Sequence, residues 1–109
     1  MPANPSGSLD KRNPALYSLI VIKTFLHKGL KVFFDTGSKA GIQPHHASKL
    51  KRQLIRLNVA KNPSYMNMPG WRLHQLSTRQ WSVWVNGNWR IIFEFEGENA
   101  LLVDYQDYH

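Results

Sequence analysis

The sequence contains no cysteine. Disulfide-stapled secreted scaffolds, Cys-ligated zinc ribbons and iron–sulfur sites are therefore excluded, and stability has to come from burial. Long apolar runs are missing too: the most hydrophobic stretch, Leu16 to Ile22, is ended by Lys23, well short of the roughly 20 residues that cross a bilayer. No membrane span is expected. Lys11 and Arg12 precede that run as they would in a secretory signal, but no small-x-small cleavage site follows, so the expected location is the cytoplasm. Internal repeats, low-complexity tracts, a Gly-rich phosphate loop and a carboxylate cluster at metal-site spacing are all absent from the sequence. Acids are scarce, with seven Asp and Glu against fourteen Lys and Arg.

What is present is 109 residues, 42% hydrophobic and 12% aromatic, enough for one domain with one core. A net charge of +7 on so small a domain favours a polyanion partner over a merely solvated surface, because the summed field attracts phosphate backbones whatever the fold. The charge is unevenly placed. Every basic residue lies at or before Arg90, whereas Glu94, Glu96, Glu98, Asp104 and Asp107 crowd the end of the chain.

Residues 1–18, rich in Pro, Gly, Ser and Asn, read as a flexible extension, and residues 19–109 as the domain. Leu19 to Phe25 is β-branched and apolar, which suits a first strand. Leu30, Phe33 and Phe34 then share one helical face, with His27 at the helix start and Gly37 as its C-cap. Pro44 suits a first helical position, and Ala47, Leu50, Leu54 and Leu57 mark a second helix over 44–59 with a basic outer side. That helix lacks a helix-turn-helix partner at the right spacing, which argues against a DNA-binding repressor.

Beyond Pro63 the periodicity changes from 3.6 to 2. Trp71 to Gln75, Trp81 to Asn86, Asn88 to Phe95 and Ala100 to Tyr105 read as strands, with Asn86-Gly87 expected as the central pair of a type I′ hairpin. The order is β-α-α-β-β-β-β, an α+β fold in which two helices cover one face of a mostly antiparallel sheet. Function can sit on the other face, where alternation places Arg90 beside Ser82 and Asn86.

Five histidines invite a metal or acid–base reading. His45 and His46 are adjacent, about 100° apart on a helix, and cannot both face one ion. They read as surface residues near a helix N-terminus. His74 and His109 are the proton-transfer candidates, and Tyr105, Asp107, Tyr108 and His109 form a polar and aromatic cluster at the end of the last strand.

The ending Asp107-Tyr108-His109, together with Val85-Asn86-Gly87-Asn88-Trp89-Arg90, His27-Lys28-Gly29-Leu30 and Met68-Pro69-Gly70-Trp71-Arg72-Leu73-His74, resembles the HigB-type killer toxins of bacterial toxin–antitoxin systems, within the RelE superfamily. The resemblance runs from about Val21 to His109, and family members commonly start with Met where Val21 stands. It implies a RelE-like fold and a metal-independent endoribonuclease, needing no cofactor, that cuts mRNA in the A site of the translating 70S ribosome. The implied partner is a HigA-like helix-turn-helix antitoxin, with operator DNA bound only through the antitoxin complex. Residue by residue, it makes His74 and His109 the proton-transfer pair without saying which is the base. Arg90 becomes the cation at the scissile phosphate, and Asp107 and Tyr108 the supports of His109.

One departure from the family pattern stands out. Gln75-Leu76-Ser77-Thr78-Arg79-Gln80 makes a shorter loop, and Ser77 occupies the place of a Lys expected to stabilise charge. Arg79 is the candidate to take over that phosphate, since guanidinium holds phosphate bidentately. Arg72, Lys51 and Arg52 are the other candidate substrate-binding cations. The alternative reading of this departure is an antitoxin-binding or RNA-binding module of the same fold.

Overall fold

A computed structural model of the chain describes residues 22–107. The expected extension over 1–18, residues 19–21 of the expected first strand, and Tyr108 and His109 lie outside the described residues.

Helix α1 spans Lys28–Thr36. Its start is set by His27, whose ring Nδ1 accepts from the Leu30 amide at 2.9 Å, as Asx or Ser caps do elsewhere. Its end is set by Gly37 in the left-handed region at φ 84°, with the Gly37 amide returning to the Phe33 carbonyl. The first turn of α1 lies hard against the following loop: a Cβ on Gly29 would collide with the Gly41 backbone, and one on Gly41 with the Gly29 Cα. Pro44–His46 form a 3-10 turn with the proline at the first position, feeding α2 over Ala47–Leu57. Leu50, Leu54 and Leu57 are buried at the expected spacing, while Lys51, Arg52 and Ile55 stay outside.

Four strands follow: β1 (His74–Gln75), β2 (Gln80–Asn86), β3 (Trp89–Glu96) and β4 (Asn99–Asp107), paired antiparallel in the order β1-β2-β3-β4. The described part of the first expected strand runs parallel to β4 at the sheet's other edge. Ile22 bridges Ala100 and Phe25 bridges Val103, with the Lys23 amide on the Ala100 carbonyl at 2.8 Å. The α+β reading and its mostly antiparallel sheet therefore hold. Leu30, Phe33, Leu50, Leu54 and Leu57 from the helices meet Val83, Ile91, Phe93, Val103 and Tyr105 from one sheet face in a single core.

Several details differ from expectation. The strand expected over Trp71 to Gln75 is only two residues long, because Trp71 closes a turn back to the Met68 carbonyl. The β2–β3 turn has Gly87 and Asn88 at its centre, with Asn86 already paired to Trp89. Only Gly87 has positive φ, at 56°, so the turn follows the II′ pattern rather than I′. In β4 the register shifts between Ile92 and Glu94 of the partner strand, and Leu102 takes φ 52°. That bulge changes which alternation faces the core, so Ala100, Val103 and Tyr105 are all buried. Thr24 secures it, accepting from the Leu102 amide on its Oγ1 and from the Val103 amide on its carbonyl.

Candidate active site

Arg72, His74 and Leu76 alternate to one side as the chain enters β1. The entry is a bent one: Gly70 has φ 82° and Arg72 φ 50°, on either side of a buried Trp71 whose carbonyl accepts from the Trp84 amide at 2.7 Å. Register then builds a row across the whole sheet, since His74 pairs with Ser82, Ser82 with Ile92, and Ile92 with Asp104. Arg90 lies one step along, paired with Trp84 and Gln106. Arg72, His74, Leu76, Ser82 and Arg90 line a cavity of about 270 Å³ on the face away from the helices. Ser82, 2% exposed, is its polar floor.

The sequence-predicted residues divide clearly. His74, Arg72 and Arg90 come together in the cavity. Arg79 does not join them. Its guanidinium lies 3.8 Å from a Glu94 carboxylate oxygen and 3.9 Å from one of Glu96, at the acidic end of the same sheet face. Lys51 lies on the far side, in an apolar groove of about 550 Å³ between α1 and α2. Arg52 is exposed on α2 and donates to Ser48 Oγ at 3.0 Å. Asp107 ends β4 opposite Trp89. Tyr108 and His109 fall outside the described residues.

His46 corrects the sequence reading. It is not a surface residue but is 2% exposed, in contact with Trp89 and Tyr105, because the 3-10 turn at Pro44 swings it inward. Burial lowers the pKa of His46 from its ordinary value, and the neighbouring His45 adds to the effect. Sequence reasoning also missed Trp84 and Lys49. Arg72 Cζ and Lys49 Nζ each lie 4.2 Å from the centroid of the Trp84 ring. The only sequence signal for that contact was a bulky aromatic on the polar alternation of β2.

Chemically, two guanidinium groups and an imidazole around a hydroxyl floor present positive charge and hydrogen-bond donors suited to an anionic ligand, with a group able to exchange protons beside them. Among the described residues no three His, Cys, Asp or Glu side chains converge as a metal set. No helix among them is long and apolar enough to cross a membrane.

Two helices packed on one face of a mostly antiparallel sheet are consistent with a RelE-like α+β fold. The family model described as the RelE-like toxin of type II toxin–antitoxin system HigB matches residues 23–109. Endoribonuclease HigB of Proteus vulgaris is 34% identical over 92 residues, covering 82% of this chain and all of that protein. The chain belongs to the HigB-like toxin family, and its partner class is accordingly an antitoxin.

Proposed function

We propose that this chain is a ribosome-dependent mRNA endonuclease that uses the ribose 2′-hydroxyl as its internal nucleophile and requires no metal. The observation that carries the reading is the convergence of His74, Arg72 and Arg90 on one cavity, supported by the likeness to a protein named as an endoribonuclease. In the reaction a base takes the 2′-hydroxyl proton and the oxygen attacks phosphorus. The P–O5′ bond breaks, and the departing 5′-oxygen takes a proton from an acid, leaving a 2′,3′-cyclic phosphate and a 5′-hydroxyl. His74 is one proton-transfer group. His109, which follows Asp107 and Tyr108 in the sequence, is proposed as the other. Arg90 stabilises the charge that builds on the phosphorane, where a preorganised cation acts most strongly in the transition state. Tyr108 is proposed to stack on a base of the threaded message.

The positive charge on the earlier part of the chain draws the protein to ribosomal RNA. The proposed neutralising partner is a HigA-like helix-turn-helix antitoxin, and operator DNA is reached only through the complex with it. The test is cleavage of a defined mRNA on purified 70S ribosomes by wild type, His109→Ala and Arg90→Ala. Wild type is expected to cut and both variants to fail. No cutting by wild type would leave only an antitoxin-binding module.

A further inference from the structure

Trp84 occupies an unusual position beside the cavity. Its backbone and ring are fixed by three hydrogen bonds to different parts of the fold. Its amide donates to the Trp71 carbonyl at 2.7 Å, its carbonyl accepts from Gln53 Nε2 at 2.9 Å, and its indole Nε1–H donates to the Gly87 carbonyl at 2.8 Å. Gln53 is fully buried on α2, and its Oε1 has no hydrogen-bond partner among the described residues. The Gln53 amide thus ties α2 to the Trp84 backbone from inside the core.

Against the indole lie two cations, Arg72 and Lys49, each 4.2 Å from the ring centroid. Arg72 is also the residue whose backbone sits at φ 50° and whose side chain lines the cavity. A non-glycine residue in that region is strained and persists there only where its surroundings over-determine it. Here the hold comes from Trp84, through the Trp71 carbonyl on the backbone side and the indole face on the side-chain side. Lys49 is pushed below its ordinary pKa by burial, then by Arg52 and Arg72, which shows how closely positive charge is crowded at this edge. Such crowding is relieved when an anion arrives.

We infer that Trp84 is a positioning residue for RNA, presenting the Arg72 guanidinium to the phosphate backbone of the substrate at the cavity mouth. This inference rests on the RNA-cleaving reading above. Arg72 contacts a phosphate in both ground and transition states, so its loss acts on KM, whereas Arg90 faces the reacting phosphorus and acts on kcat.

The experiment compares Trp84→Leu and Trp84→Phe, alone and combined with Arg72→Ala, in cleavage of a model mRNA on purified 70S ribosomes. In parallel, 15N relaxation at Arg72 Nε is measured in the free protein. Trp84→Leu is expected to raise KM about three- to tenfold, the range of a partly desolvated cation–π contact, with kcat little changed. Trp84→Phe, which keeps an aromatic face but loses the indole bond to Gly87, is expected to fall between wild type and Trp84→Leu. Combined with Arg72→Ala, Trp84→Leu adds nothing further. Arg72 Nε is expected to be as ordered as the backbone in wild type and mobile in Trp84→Leu. An undiminished effect of Trp84→Leu beside Arg72→Ala, a loss confined to kcat, or a mobile Nε in wild type overturns the inference. Where Trp84→Leu does not fold, the wild-type relaxation and the Trp84→Phe kinetics decide it. A wild type that cuts no RNA refutes the proposed function, while the Nε relaxation still decides whether Trp84 holds Arg72.

Discussion

The buried His46 ring meets the Tyr105 hydroxyl at 2.6 Å, Nδ1 to Oη, across 59 residues of sequence. The same oxygen accepts from the Gln43 amide at 3.2 Å, so one phenol joins the entry of α2 to the His46 ring. Burial of the ring disfavours its charged form, which lowers the His46 pKa from its ordinary value. Trp89 stacks on Tyr105 with centroids 4.5 Å apart, and His27 meets the same ring edge-on at 5.2 Å. This cluster ties the start of both helices to β3 and β4.

The arrangement makes stability depend on pH. His46 is lowered from its ordinary value of 6.5, so the unfolded chain binds the proton first. Its contribution is complete above 6.5 and is lost as the pH falls below that value toward the folded-state pKa. Thermal midpoints recorded from pH 7.5 to 5 are expected to fall more steeply in wild type than in His46→Gln. Parallel curves for the two proteins would refute the assignment to His46.

Tyr105→Phe removes the phenol that serves both Gln43 and His46. A buried donor or acceptor left unmet costs about 1–3 kcal/mol, and a loss of that size is expected in urea unfolding, with the folded spectrum retained. A change under half a kcal/mol, well below that range, would mean the hydroxyl is dispensable.

Gly29 and Gly37 are both glycines of α1's ends, yet they fail differently when replaced. Gly29→Ala places a Cβ into the Gly41 backbone, which cannot give way, and overpacking of this kind costs about 1–3 kcal/mol. Gly37→Ala meets nothing within 4 Å and bears only the strain of φ 84°, about 1–2 kcal/mol. Paired denaturation curves are expected to rank Gly29→Ala as the more damaging.

Arg90→Ala is expected to lower kcat on ribosomes by about 10²-fold or more, the loss seen when a charge-stabilising group is removed from a reacting centre. Arg79→Ala is expected to stay within about threefold of wild type, since an exposed cation facing Glu94 and Glu96 supplies little. Equal losses at both positions would move the phosphate away from the cavity.

Ser77 is exposed on the short β1–β2 connection, where Leu76 and Ser77 both donate to the Gln80 carbonyl, one residue from the cavity-lining Leu76. Ser77→Lys adds a cation at that rim. Cleavage is expected to rise several-fold, with a steeper fall as salt is added. An unchanged rate would show that Arg72 and Arg90 already supply the charge required.

Periodicity determined much of this protein. Leu50, Leu54 and Leu57 fixed the core face of α2, Gly37 its predecessor's end, and the period-2 alternation around Arg90 the polar sheet face, because each depends on neighbours within a few residues. The resemblance read from the sequence rested on the motifs around His74, Arg90 and the last three residues, and the family match spans residues 23–109. Tertiary structure alone decided the rest. A one-residue bulge at Leu102 reversed the alternation of β4, and register brought His74 to Ser82 and Arg90 to Trp84. Arg79 was drawn to Glu94 and Glu96, although its charge alone recommended it for the phosphate. His46 looked like a surface residue until Tyr105 and Trp89 arrived from the far end of the chain. Such contacts join residues tens of positions apart, and local composition carries no record of which of them the sheet register will bring face to face.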